Sequence, residues 1–156
     1  MVAGRLLGRY YAAMFINGRF SKRCVRSNQP GQAHELTFGC YRNQNFLSSS
    51  RVCKWLAESI EQARVAQQFS LWAYVFMPNH VHLLLCPMGE QYSIPAILKA
   101  IKTPVAIQAI RYLKVKNPPG LAKLATGQDY RNYRFWQKGG GYDRNISEPN
   151  TLLNTV

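Results

Sequence analysis

Acidic residues are what this sequence has least of: seven Asp and Glu stand against twenty Lys and Arg, a formal net charge of +13 over 156 residues. An imbalance of that size points to a polyanionic partner, and a ribosomal-type or simply well-solvated basic surface is the other way to reach it. Cysteines are few as well. Cys24, Cys40, Cys53 and Cys86 form no CxxC and no paired spacing, which argues against a zinc ribbon or a disulfide framework and fits a reducing cytoplasm. No apolar run is long enough for a membrane span, and Arg5, Arg9 and Arg19 break up the short hydrophobic patches that a signal peptide would need intact. With 47% hydrophobic and 12% aromatic residues the chain is not disordered, and its length fits one domain with a sizeable core.

The positive charge is spread along the chain. Residues 1–33 carry six basic residues and no acidic one, and read as a flexible basic arm, or as extra coding sequence, ahead of a domain over 34–156. Between Lys99 and Arg144 ten basic residues face only Asp129 and Asp143, so this half is expected to meet a nucleic acid.

Periodicity gives the elements. His34 to Gln44 reads as a first strand, with Leu36, Phe38 and Cys40 on one face and His34 at its edge, outside any ligand set. After the serines at 48–50, Val52, Trp55, Leu56, Ile60, Ala63 and Ala66 follow helical spacing, with Trp55 read as core. Leu71 to Phe76 reads as a buried strand, Met77-Pro78-Asn79 as a tight turn, and His80 to Cys86 as its antiparallel neighbour. Ser93 caps a second long helix carrying Ile94, Ile97, Leu98, Ile101, Val105 and Tyr112, which Pro104 should kink or divide. Val115 to Arg131 reads as a long connection. Strand character returns at Tyr133 to Gln137, breaks at Gly139 to Gly141, and resumes at Tyr142 to Ile146; a last helix opens at Ser147-Glu148-Pro149.

One stretch carries chemistry. In His80-Val81-His82-Leu83-Leu84-Leu85 the two histidines stand at i and i+2 and leave the same face of a strand, while Val81, Leu83 and Leu85 fill the other face towards a core. Such a pair can hold one divalent cation, although two imidazoles alone do not choose the metal and a structural pair is the plain alternative. Downstream, Phe135, Trp136 and Tyr142 lie among Arg134, Lys138 and Arg144, a pattern in which bases stack on rings while cations hold the backbone, with core packing of Phe135 or Trp136 the equal alternative for one of them. Lys99 and Lys102, on the second long helix, are candidate phosphate contacts.

The string Tyr74-Val75-Phe76-Met77-Pro78-Asn79-His80-Val81-His82-Leu83-Leu84 resembles the signature of the HUH single-tyrosine transposases, in the branch of the REP-associated tyrosine transposases (IS200-like). A second block, Arg134-Phe135-Trp136-Gln137-Lys138, then Gly139 to Gly141 and Tyr142-Asp143-Arg144-Asn145-Ile146, resembles the downstream segment of that family. The resemblance implies an α+β, ferredoxin-like split βαβ fold, an antiparallel sheet with helices packed on one face, which the element order also fits.

It also implies a DNA transposase. His80 and His82 would hold Mg²⁺ or Mn²⁺ against a scissile phosphate of single-stranded or hairpin DNA from palindromic repeats. Lys99, Lys102, Arg134, Trp136, Lys138, Tyr142 and Arg144 would contact that DNA, and a homodimer is conceivable. Asp143 or Gln137 could approach the ion as a third ligand. The family's nucleophilic tyrosine lies in a Tyr-Ile-His-x-Asn-Pro segment, whose expected place falls just beyond Val156. Tyr130, Tyr133 and Tyr142 do not match it. The expectation is therefore a transposase domain inactive by itself; the alternative is a non-catalytic hairpin-binding remnant or regulator of a complete transposase.

Overall fold

The computed structural model describes residues 28–146, together with the backbone of two short strands near the N-terminus, β1 (Ala12–Ile16) and β2 (Arg19–Arg23), which pair antiparallel. The last helix expected from Ser147 lies outside the described residues.

The domain begins with β3 (Ala33–Gly39). Its even-numbered residues, Leu36 and Phe38 followed by Cys40, are buried as the alternation requires, and two short helical turns then lead into α1 (Ser50–Ala66). This helix buries Val52, Leu56, Ile60 and Ala63, at helical spacing, against the sheet. β4 (Phe69–Phe76) and β5 (His80–Pro87) follow as a hairpin around Met77-Pro78-Asn79, with the Met77 N–H bonded to the His80 carbonyl at 2.9 Å. Next come α2 (Ile94–Lys116), a short α3 (Pro118–Leu121), the two-stranded β6 (Ala125–Gln128) and β7 (Arg131–Tyr133), and finally β8 (Tyr142–Ile146).

The main sheet is antiparallel, in the order β4-β5-β3-β8, with α1 and α2 packed on one face over the main core, while Ala33, Leu84 and Ile146 form a small buried cluster on the other face. This is the α+β, split βαβ arrangement that the element order implied: each helix links two strands that are separated by a third.

Three expectations need correcting. The stretch Leu71–Phe76 is not a buried strand: it belongs to an outer strand of the sheet, where Phe69 is sealed in the core but Trp72, Tyr74 and Val75 are about half exposed (50%, 54% and 52%). Residues 115–131 are not a bare loop; Asn117 caps α3 by accepting from the Gly120 N–H at 3.0 Å, and a hairpin follows.

Pro104 does not divide α2 either. Proline removes an N–H from the helical ladder and pushes against the preceding turn, which exposes carbonyl groups there. Neighbouring side chains take up that turn. The Ser59 hydroxyl donates to the Ile101 carbonyl at 2.7 Å, and the Trp136 indole N–H donates to that of Lys102 at 2.8 Å. The helix thus stays whole because donors reach it from both sides.

Candidate metal and nucleic-acid site

β5 divides its side chains between two environments. Val81, Leu83 and Leu85 are essentially fully buried beneath the helices, so His80 and His82 must emerge on the opposite face of the sheet, which is helix-free among the described residues. The strand register aligns His82 with Val75 of β4 on one side and Thr37 of β3 on the other, and Thr37 in turn with Tyr142 of β8. One row thus crosses all four strands.

Both imidazoles are held by their Nδ1 atoms. His80 Nδ1 donates to the Asn79 side-chain carbonyl at 2.6 Å, and the Asn79 amide donates to Asn43 Oδ1 at 2.8 Å. His82 Nδ1 lies 3.0 Å from the Thr37 hydroxyl. The two Nε2 atoms then face each other at 3.0 Å, with the rings inclined by 75°. Burial first, and then the adjacent His82 ring, hold the His80 imidazole below its ordinary pKa, which favours the neutral ring that a metal requires.

This donor set fits a divalent cation. His80 and His82, whose Nε2 atoms are adjacent on one face, are the residues that would hold such an ion. Hydrogen bonds at the far ring nitrogens are the usual support for metal-bound histidine. Among the described residues no group of three His, Cys, Asp or Glu side chains converges.

Neither suggested third ligand joins the histidine pair. Asp143 lies on the helix side of the sheet, only 5% exposed, with its carboxylate 2.8 Å from His34 Nδ1. Gln137 uses its side-chain oxygen to accept from the Arg42 backbone N–H at 3.3 Å. His34 is not a loose edge residue; it is fully buried, and its Nε2 lies 2.7 Å from the Tyr92 hydroxyl.

The expected nucleic-acid residues separate into two groups. Lys99, Lys102, Arg134 and Lys138 line a groove of about 690 Å³ between α2 and the 130–140 segment, where Tyr130 and Arg131 join them and, among the described residues, no acidic side chain lines it. Tyr142 and Arg144 lie instead on the helix-free face, where Arg144 pairs with Glu35 at 2.7 Å. A second depression, of about 460 Å³, is lined by Lys102 and Lys138 as well as by Thr37 and Tyr142. It links the groove to the row that holds His82.

Trp136 is not the stacking platform that the sequence implied. It is only 6% exposed, edge-on to Phe38, with its N–H spent on α2. Tyr130, 79% exposed in the groove, is the ring that is accessible.

The corner between these faces is built by glycine. Gly141 has φ +73°, and its Cα packs so closely on the Thr37 carbonyl that no Cβ fits.

A solved transposase shares this fold. The fold is that of a REP-associated tyrosine transposase. The structure of such a transposase bound to a REP hairpin matches with a TM-score of 0.62 and 16% identity, covering 86% of this chain and 67% of that one. A candidate transposase from Deinococcus radiodurans R1 matches at 20% identity and a TM-score of 0.49, covering 85% and 92% of the two chains. No protein-family model and no curated protein sequence matches this chain.

Proposed function

We propose that this chain is a DNA-binding domain of the HUH transposase type, acting on single-stranded or hairpin DNA with Mg²⁺ or Mn²⁺ held by His80 and His82. The observation that supports it is the pair of Nε2 atoms 3.0 Å apart on the helix-free face, each ring secured from behind. A bound cation would supply charge neutralisation at a scissile phosphate. The protein's own part is to orient both imidazoles, and to steer a phosphate backbone along Lys99, Arg134, Lys138 and Lys102 towards them. The hairpin bound by the similar transposase makes a hairpin the first ligand to try.

Purified protein, Mn²⁺ and a DNA hairpin with single-stranded flanks should give a retarded complex in native gels. Mn²⁺ should tighten that complex, and the His80→Ala, His82→Ala double variant should lose the metal effect while still binding the hairpin through the basic groove. Hairpin binding that is the same with and without metal, in wild type and double variant alike, would refute the metal-dependent reading.

A second reading, a hairpin-binding regulator without chemistry, rests on the groove alone: Lys99, Lys102, Arg134 and Lys138 line it whether or not a cation sits on the histidines.

A further inference from the structure

The contacts around His80 and His82 make the two rings unequal. Asn79 Oδ1 is a carbonyl oxygen and can only accept, so His80 carries its proton on Nδ1 and presents a lone pair at Nε2. In the protein without a cation, the 3.0 Å contact between the two Nε2 atoms then needs its proton from His82. That leaves His82 Nδ1 bare, and the Thr37 hydroxyl, 3.0 Å away, donates to it. Every link of the relay from Thr37 through both rings to Asn79 holds one proton.

A cation changes one end of the relay only. Both Nε2 atoms must now offer lone pairs, so the His82 proton has to reside on Nδ1, while His80 needs no change. The neighbour of His82 Nδ1 must then accept where it had donated. A hydroxyl can reverse roles by rotating, whereas an amide oxygen cannot.

We propose that Thr37 is a positioning residue that lets His82 exchange its Nε2–H tautomer for the Nδ1–H tautomer when a divalent cation binds, while Asn79 holds His80 in the ligating tautomer throughout. The proposal rests on the metal reading above. A proton leaves Nε2 to water and another is taken up at Nδ1, so the net charge of the ring is unchanged. Thr37 is suited to this role by its place. Cross-strand register sets it beside His82, and the tight packing of Gly141 on its carbonyl fixes its backbone, leaving the hydroxyl rotor as the moving part.

The chain has three histidines, so side-chain ¹⁵N–¹H long-range correlation spectra can resolve each ring. At pH 8 without metal, His80 should appear as Nδ1–H and His82 as Nε2–H; saturating Mg²⁺ should convert His82 to Nδ1–H and leave His80 as it was. Thr37→Val, which keeps the shape and loses the hydroxyl, should weaken Mn²⁺ binding about tenfold or more, as loss of a supporting partner does elsewhere. Thr37→Ser should restore it. His82 found as Nδ1–H before metal is added, or Mn²⁺ affinity unchanged in Thr37→Val, overturns the proposal and leaves the metal reading standing. A wild-type protein that takes up no Mn²⁺ overturns both. The wild-type spectra involve no substitution, so their outcome does not depend on whether a variant folds.

Discussion

Two histidine clusters sit at opposite ends of the same strand pairing, and they are built for opposite purposes. At one end His34, opposite Leu85, is sealed beneath the helices, with Asp143 on one ring nitrogen and Tyr92 on the other. Tyr92 passes its hydroxyl proton to the Gln29 carbonyl at 3.0 Å, and Asn28 donates to the Tyr92 carbonyl at 3.1 Å, so this cluster ties the start of the domain to the head of α2. At the other end Gly39 lies opposite His80, and the two rings there satisfy one nitrogen each through the protein and turn the second towards each other in the open. The first cluster has no valence to spare and serves the fold. The second leaves two ring nitrogens turned to each other at a partly exposed surface.

If that contrast holds, its parts should fail differently. The largest effect on stability is expected from His34→Ala, which strips the imidazole from a buried carboxylate. Breaking such a pair costs about 3 kcal/mol or more, read as a lowered urea midpoint. The His80→Ala, His82→Ala double variant should stay within about 1 kcal/mol of wild type in the same titration, because these rings are partly exposed and pack on little. It should nonetheless lose Mn²⁺ binding in calorimetry, a loss His34→Ala should not share under conditions where it is folded.

A third test concerns pH. Only neutral imidazoles bind metal, so Mn²⁺ affinity should be flat above the histidine range and fall as the pH drops through it. Because burial and His82 depress the His80 pKa, the proton that finally displaces the metal from His80 should be taken up below the usual imidazole value near 6.5. The smallest effect should come from the groove. Lys102→Ala with Lys138→Ala should leave metal binding intact and make the slope of log K for single-stranded DNA against log salt shallower by about 1.4, since each of the two phosphate contacts contributes roughly 0.7. Arg144→Ala should alter that slope less, because its guanidinium already serves Glu35.

What the sequence made legible follows from which signals are local. Alternation along residues 80–86 puts the two histidines on one face and Val81, Leu83 and Leu85 on the other, and that is how β5 lies. The apolar stripe of α2 and its serine cap are equally plain, with Ser93 Oγ accepting from the Ala96 N–H at 3.3 Å. The supports of the site are not legible. Thr37 reaches His82 and Asn43 reaches Asn79 across 45 and 36 residues of sequence, and only the pairing register brings them together. Asn43, moreover, has positive φ (57°), a conformation that nothing in its neighbours announces.

Two misreadings have the same origin. Asp143 has the chemistry of a ligand, but the pairing of β8 with β3 puts it on the far side of the sheet. The apolar run of β4 has the composition of a buried strand, but the sheet order makes it the outermost one. Pro104 misleads for a different reason: its cost is real, but donors from α1 and from Trp136 offset it, and no inspection of α2 alone would find them.

The packing of Gly141 against Thr37 carries a lesson for anyone engineering this chain. In a saturation library screened for metal uptake, position 141 should tolerate no replacement. Gly31 and Gly127, which share its positive φ but have open space around them, should accept asparagine. A hydrogen atom in place of a side chain, on a segment that bears no ligand, would then rank with the histidines among the residues hardest to exchange.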